Sequence, residues 1–522
     1  MMEPEGQEEQ LSETPLRFEG IPINEEFRQH KIKVLEEVLN SFIVAIIISF
    51  FLFTILAGIE DSNSIKYAMI ISSILFFGIV FSALWISYWR WKKTTIIFKD
   101  TEMTVFRDTV FKKEIRIAYT KIASTNVNRG IINRLTDTSK LLININSRVN
   151  SYSPELTLTF GVEMADRIRA NLSKKMYNSN ILPTDEENIP SIVTITAKDV
   201  ILHSFLSQPT ASALFGIIMF FIGFYEMFTN SGDFGTGAVA IFFAAVTYII
   251  PVVAMIFHYF NYKIYRIGDT IYLSHGLVRT YHKSFKVTKI NSVRLRSPLL
   301  PRLIGRYMLD AEVVGLALGG NDDGKNIAPL LCPMKDRETI DRVMRTIVPE
   351  FIYDVEMNRQ PKEAAKPIFI RATLWSILVV IIAIAFYDPM AKIFVDEGMI
   401  LNQITLVIIA TTLMVVISIF INGIWSRRIV EYGRSTDLFT FVVGVIDRKI
   451  TTMSYDKVQI ANIESGPFSR PYGLAKCNIS LLSSIGSQNI YSGYFNADEL
   501  EAISDEVVSR VKDGRYNYRE YL

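Results

Sequence analysis

KINSVRLRSPLLPRLIG, residues Lys289–Gly305, decides the reading of this chain, because its frame occurs three times. KIASTNVNRGIINRLTD occupies Lys121–Asp137 and KVQIANIESGPFSRPYG occupies Lys457–Gly473, each 168 residues from the next (289 − 121 and 457 − 289). In every copy an arginine follows the lysine thirteen residues later, pairing Lys121 with Arg134, Lys289 with Arg302 and Lys457 with Arg470. The flanks keep the same register without a gap: DTEMTVFRDTVF from Asp100, GDTIYLSHGLVR from Gly268 and TDLFTFVVGVID from Thr436. A repeat this long, well beyond the roughly 20–50 residues of a solenoid unit, is a duplicated domain that carries its own core.

Two long apolar runs precede each of these blocks: Ser41–Ile59 and Tyr67–Trp89, then Pro209–Phe228 and Gly237–Phe260, then Ala372–Tyr387 with its lead-in Pro367–Arg371, and Leu401–Trp425. At about 1.5 Å per residue, roughly twenty residues cross a hydrocarbon core of about 30 Å, and a helix satisfies its own backbone groups there. Six spans in three hairpins are therefore expected. A 49% hydrophobic content and a mean hydropathy of +0.25 agree with that reading over buried helices of a large soluble core.

Charge orients the hairpins. Their short connections, Glu60–Lys66, Thr229–Thr236 and Asp388–Ile400, are mostly acidic, whereas the opposite ends hold Lys31, Lys33, Arg90, Lys92, Lys93, Lys263, Arg266, Lys366, Arg371, Arg427 and Arg428. Lysine and arginine bias retains its side in the cytoplasm, so both termini and all three soluble blocks are expected there. Trp85, Trp89, Trp91, Trp375 and Trp425 fall near the same ends, where an indole sits at headgroup level. The acidic opening MMEPEGQEEQLSETPLRFEGIPINEEFRQ has no apolar run, unlike a signal peptide, and is expected to be a disordered tail.

Each soluble block reads as short strands and then a helix. In the second copy Lys263–Tyr265 and Thr270–Ser274 flank a Gly268-Asp269 turn, and Leu277–Tyr281 and Ser284–Val287 follow the break at Gly276. The third repeats this with Leu438–Val442, a turn at Gly444 and a strand near Val445–Lys449. Ile143 and Ile145 match Ile479 and Leu481 on one face of a later strand. Helices Val162–Lys174, Lys335–Ile347 and Ala497–Val511 close the blocks, the last with Asn496 as its cap. One amphipathic helix against a small antiparallel sheet gives a sandwich or barrel plugged by a helix.

The runs Lys289–Gly305 and, less closely, Lys457–Gly473 resemble the signature of the bacterial pleckstrin-homology-like (PH-like) domain found in membrane proteins of the YdbS and YdbT type. The hairpin-plus-domain order, three times over, resembles the YdbT-like kind and covers the chain from about Val38 to Val511. The first copy departs by placing Asp137 where the others have Gly305 and Gly473, and aspartate tolerates a positive φ less readily than glycine. The resemblance implies a cytoplasmic β-sandwich capped by a helix, no catalytic residues, and a complex with a smaller one-hairpin relative.

The expected fold class is membrane α + β, with three transmembrane helical hairpins, each followed by a cytoplasmic PH-like antiparallel β-sandwich or barrel capped by a C-terminal helix. In order, these are an acidic tail (1–36), hairpin 1 (37–89), module 1 (90–176), a linker (177–207), hairpin 2 (208–260), module 2 (261–352), a linker (353–367), hairpin 3 (368–426), module 3 (427–513) and a tail (514–522).

Few residues point to chemistry. The repeated basic pairs either tie a loop to the sheet or line an anion site for a lipid headgroup. Glu226, His258 and Arg371 lie near span ends and are read as reaching the interface. Pro251 is expected to kink its helix. GLALGGNDDGKN, Gly315–Asn326, lacks the spacing of a calcium or phosphate loop, and His275 and His282 are read as surface or hairpin residues without a third ligand. Cys332 and Cys477 occupy non-equivalent repeat positions and support neither a disulfide nor a zinc site. No catalytic, cofactor or metal residues are assigned. A net charge of +2 argues against nucleic acid as a partner. The expected partners are the bilayer, anionic lipid headgroups and the one-hairpin relative. The expected role is a non-catalytic binding or scaffolding platform. Its rivals are a transporter or lipid or peptide exporter component built from parallel repeats, and an envelope-protection factor against membrane-active compounds.

Overall fold

The computed structural model describes residues 21, 23–57, 64–145, 156–177, 193, 195–229, 234–314, 328–396, 401–483 and 486–514. Chain contacts divide it into unit 1, comprising Met1–Asn146, Pro154–Ile189 and Val278–Ser284, and unit 2, comprising Ser147–Ser153, Pro190–Leu277 and Phe285–Leu522. The Gly315–Asn326 loop and the chain end beyond Gly514 lie outside the described residues.

Unit 1 opens with β1 (Glu26–Phe27) and the apolar helices α1 (Ile32–Ala57) and α2 (Ser64–Lys92). β2 (Thr94–Phe98), β3 (Glu102–Asp108) and β4 (Lys112–Ala118) form an antiparallel meander, with β1 on the far edge of β2. β5 (Ile122–Arg129), the one-turn α3 (Ile131–Leu135), β6 (Thr138–Ile145) and β7 (Leu156–Gly161) build a second antiparallel layer, and α4 (Val162–Tyr177) closes it. The alternation of TTIIF buries Thr94, Ile96 and Phe98 on one face of β2. Ala165, Ile168 and Leu172, spaced three and four apart on α4, meet that face in a single core. Ile168 and Leu172 each contribute about 1.5–3 kcal/mol by leaving water.

The expected tail (1–36) needs correcting at its C-terminal end. Glu26 and Phe27 pair with Ile97 and Ile96, and the Phe27 ring stacks on Phe98 at 5.2 Å. Ile21 joins the core, and the Trp91 indole donates to the Gln29 carbonyl at 2.8 Å. The acidic composition concealed Ile21, Ile23 and Phe27, whose burial outweighs the ordering cost of this stretch. The turn at Asp137 keeps the geometry of the other copies: its φ is 47°, against 66° at Gly305 and 63° at Gly473. Arg129 donates to its carboxylate at 3.3 Å.

Unit 2 begins with α5 (Ala197–Leu206), α6 (Thr210–Thr229), α7 (Phe234–Ala244) and α8 (Ile250–Tyr259). α5 falls inside the expected linker 177–207; it is started by a capping box in which Thr196 Oγ1 accepts from Asp199 N, a local signal ahead of its apolar residues Val200–Leu202. Between α7 and α8 runs a π-helical turn, Ala245–Ile249. It sits just ahead of Pro251, which has no N–H for the Thr247 carbonyl, so the ladder widens there.

The second copy continues with β8 (Lys263–Ile267), β9 (Thr270–His275), β10 (Thr280–Lys286), β11 (Ile290–Ser297), α9 (Leu299–Leu303), β12 (Arg306–Val313), β13 (Leu330–Asp336) and α10 (Arg337–Ile347). Then come β14 (Asn358–Arg359), α11 (Ala365–Ala385), α12 (Tyr387–Asp396) and α13 (Leu401–Ile429). The third copy holds β15 (Glu431–Arg434), β16 (Leu438–Val443), β17 (Arg448–Ser454), β18 (Val458–Glu464), β19 (Leu474–Ser483), β20 (Gly486–Tyr491), β21 (Phe495–Asn496) and α14 (Ala497–Lys512).

Four local readings change. In place of two strands at Leu277–Tyr281 and Ser284–Val287 there is one, β10, which starts at Thr280, ends at Lys286 and runs through the buried Lys283 and Ser284; Leu277–Arg279 and Val287 lie outside it. The strand expected near Val445–Lys449 starts at Arg448. Much of the Asp388–Ile400 connection is helical, with Pro389 in the first turn of α12, where its missing N–H costs nothing. Asn496 is at the N-cap of α14, yet its side chain makes no cap bond and donates to Glu499 Oε1 instead.

One sheet of unit 2 crosses the copy boundary. Its seven strands run β13-β12-β11-β17-β16-β15-β14, so the fourth strand of copy two, β11, pairs antiparallel with the third strand of copy three, β17. The part of β10 that belongs to unit 1 does the same with β5, through Thr280↔Arg129, Tyr281↔Asn128 and His282↔Val127. Each copy keeps its own apolar core, but its strands are shared.

Among the described residues, five helical stretches are long and apolar enough to cross a membrane: Ile32–Phe53, Lys66–Lys92, Gly237–Tyr259, Lys362–Ala385 and Ile404–Ile429. A sixth arises if Ala197–Leu206 and Thr210–Glu226, which meet at 85°, count as one bent span. α1 packs on α2, α6 on α7 and α11 on α13. Their outer faces expose Phe81, Trp85, Phe221, Ile384 and Met414, and helices apolar on all sides require an apolar solvent.

Candidate functional site

Within unit 2 a cavity of about 650 Å³ opens where α11 and α13 meet the ends of β17 and β19. α11 contributes Arg371 and Trp375, α13 Ile419 and Asn422, β17 Lys449 and Thr451, and β19 Lys476. Arg294 arrives from the preceding copy, because the β11–β17 ladder sets it opposite Thr451. Four cations line this cavity and, among the described residues, no carboxylate does.

The charges are held from behind. Glu312 on β12 accepts from Arg294 at 2.6 Å, and Asp310 from Arg296 Nη2 at 3.0 Å. Two arginines are thus balanced by two buried carboxylates, whereas Lys449, Lys476 and Arg371 give the cavity its net positive field. Burial, together with Arg294 and Arg296, holds the Lys449 ammonium below its ordinary range. Burial, with Arg371 nearby, pushes Lys476 down from 10.5 to about 8. Its ammonium also lies 4.2 Å from the centre of the Tyr494 ring, which helps keep it charged.

Unit 1 holds the corresponding concavity in smaller form, about 190 Å³, lined by Lys33, Glu37, Arg90, Arg107, Lys113 and Ile115 among others. Lys113 and Ile115 stand two repeat lengths before Lys449 and Thr451, so the repeat-equivalent strands β4 and β17 each line the concavity of their own unit. Here Glu37 accepts from Arg90 at 3.5 Å and offsets part of the charge.

The repeated basic pairs are not brought together. Lys121, Lys289 and Lys457 each end a 3-10 turn before the fourth strand of their copy, and Arg134, Arg302 and Arg470 lie in the helical turn after it. Strands of eight, eight and seven residues intervene, roughly 25 Å at about 3.3 Å per residue. Lys457 donates to the Thr288 carbonyl at 2.9 Å, Arg302 to Val445 at 3.1 Å and Arg470 to Ser465 at 3.2 Å. Lys121 and Arg134 are exposed.

Of the residues near span ends, Arg371 reaches the cavity. His258 and Glu226 do not line it, and His258 packs its ring 4.8 Å from that of His275. His275, read as a surface or hairpin residue, ends β9 beside Gly276, but it is buried there and bonds the His258 carbonyl through Nδ1 at 2.8 Å. Cys332 and Cys477 are free and sit in separate cores, where burial pushes each thiol up to about 12.

Arg294, Lys449 and Lys476 escape a search for positions kept in all three copies. Arg294 has Asn126 and Asn462 as its equivalents, Lys449 has Lys113 and Tyr281, and Lys476 has Lys140 and Met308. A comparison of copies one and three alone would have raised Lys449 and Lys476.

The family described as Bacterial PH domain matches residues 39–176 and 376–513, more than half of the chain and each time an apolar helix pair with the module that follows. The chain is also 22% identical over 396 residues to the UPF0699 transmembrane protein YdbT of Bacillus subtilis (strain 168), an alignment covering 70% of this chain and 78% of that protein. No solved structure matches it.

Proposed function

The chain belongs to the bacterial PH domain family, and from that premise we propose that it is a polytopic protein of the cytoplasmic membrane whose modules form a non-catalytic binding platform on the inner face. In this reading the three apolar helix pairs cross the bilayer as hairpins and return each module to the cytoplasm. The cavity at the base of the third hairpin takes the phosphate of an anionic lipid headgroup. One observation carries this: Arg294, Arg371, Lys449 and Lys476 converge without a carboxylate on a wall shared with the apolar-helix residues Trp375 and Ile419. A phosphate drawn in from the adjacent leaflet would meet the cations while its acyl chains stay beside α11 and α13. Each cation near an anionic membrane surface adds about 1 kcal/mol, roughly fivefold in affinity.

Lys476 makes the binding pH-dependent. With its pKa pushed down to about 8, the ammonium is present at pH 7 and is lost as pH rises through 8. A bound phosphate favours the charged form, so affinity is highest below pH 8 and declines toward pH 9.5. The ligand-free fold behaves oppositely: the unfolded lysine keeps its proton to about 10.4, so stability gains between pH 8 and 10 as the buried charge is released. Full-length protein in nanodiscs should retain phosphatidylglycerol over phosphatidylcholine in native mass spectra. The double variant Arg371→Ala/Lys476→Ala should lose about 25-fold in that preference, at about 1 kcal/mol per cation. Lys476→Arg should bind well but lose the decline between pH 7 and 9.5. Equal retention of both lipids by the native chain would defeat the headgroup reading.

A further inference from the structure

The two junctions between copies share one register. β11 meets β17 through Arg296↔Lys449 and Ser297↔Arg448, and β5 meets β10 through Asn128↔Tyr281 and Arg129↔Thr280. A shift of 168 residues carries each of these pairs of one junction onto a pair of the other. The rule inside the chain is therefore uniform: the fourth strand of one copy receives the third strand of the next.

Across three copies the rule operates twice and leaves two ends. β4, the third strand of copy one, ends its sheet with β3 as its ladder neighbour, and β18, the fourth strand of copy three, ends its sheet with β19 as its neighbour, among the described residues. Exposure records the difference. Ser124 on β5 and Ser292 on β11 are 1% and 0% exposed, whereas Ile460, their equivalent on β18, is 61% exposed. Along β18, Ile460, Asn462 and Glu464 all face solvent, and on β4 so do Lys112, Lys113, Glu114 and Arg116. β18, VQIANIE, carries neither the lysine nor the proline that commonly guards an edge strand.

We propose that β18 of one copy of this chain pairs antiparallel with β4 of a second copy, in the register of the two internal junctions, so that chains assemble head to tail. That register sets Ile460 opposite Ile117 and Glu464 opposite Lys113, an apolar contact and an ion pair with no like-charged pair among its rungs. The occupant is a second copy because the geometry is already used twice within the chain, needs no new surface, and matches acid on β18 with base on β4. The contact is heterologous, with different strands from the two partners, so it closes into a ring or continues as a row.

The test is disulfide trapping in membranes containing the full chain, since facing residues of an antiparallel pair place Cβ atoms about 4.5–5.5 Å apart, close to disulfide reach. Glu464→Cys and Lys113→Cys are made singly and together. The double variant should give dimers and higher species under mild oxidation, and co-expressed single variants should give a dimer, with neither single variant linking to itself. Asp108→Cys, on β3, should not link to Glu464→Cys. Ile460→Lys should reduce the detergent-solubilised protein to single copies in mass photometry without changing its melting temperature. Absence of the Glu464–Lys113 link, self-linking of either single variant, linking to a different membrane protein instead, or a native chain that is a single copy in the membrane would each overturn the proposal.

Discussion

Asp310→Ala should destabilise unit 2 by about 3–5 kcal/mol, because it leaves the Arg296 guanidinium without its carboxylate. Asp310 and Glu312 are each 2% exposed and lie on β12 directly behind β11. Arg296 faces Asp310 on one side and Lys449, its rung partner on β17, on the other. Deleting the carboxylate converts a balanced layer into one where Arg294, Arg296 and Lys449 crowd together with Glu312 as the acid that remains. Thermal unfolding in detergent should fall by roughly 6–20 °C for a body of this size. The double variant Arg296→Met/Asp310→Leu should recover most of that loss, since replacing both members of a buried pair by apolar groups removes the stranded charge. If the single and double variants melted alike, packing rather than charge pairing would explain Asp310.

Arg510→Ala should cost about 2–3 kcal/mol and loosen α14 from the third core. Arg510 is 4% exposed and donates to Glu506 at 2.8 Å, Asp437 at 2.9 Å and Asp456 at 3.1 Å, with the Thr436 carbonyl as a further acceptor. The expected cost falls short of the full buried-pair value because the three carboxylates keep part of their contact with water. Asp437, whose side chain is 76% exposed, is the control. Asp437→Ala should change stability by less than about 1 kcal/mol. Proteolysis after α14 loosens would cut within Ala497–Lys512, and an unchanged digestion pattern in Arg510→Ala would contradict the tether.

The strand and helix inventory was legible because the repeat offset aligns three independent readings of the same pattern. α4, α10 and α14 fall within three residues of their expected bounds. The exchange of strands between copies was not legible. Alternation reports whether a side chain is covered, never whether its own sheet or a neighbour's covers it, and Ser124 and Ser292 are polar although fully enclosed. The cavity stayed hidden for a related reason. Its cations lie on α11, β11, β17 and β19, and the ladder that gathers them joins residues about 160 positions apart. α5 and α12 were missed because short helices with polar first turns resemble loops by hydropathy. The basic pairs were the loudest signal in the sequence, yet they flank the fourth strand rather than facing each other.

The sidedness of the modules underlies the whole account, and cysteine labelling in intact cells tests it most directly. Cys332 and Cys477 are buried and give little background. Glu163→Cys, Arg342→Cys and Asp505→Cys place one exposed thiol on each module, and Asp388→Cys places one at the start of α12 between α11 and α13. With a membrane-impermeant maleimide, the three module thiols should label after permeabilisation only, and Asp388→Cys should label in intact cells. Labelling of any module thiol in intact cells to the level reached after permeabilisation would contradict a platform on the inner face.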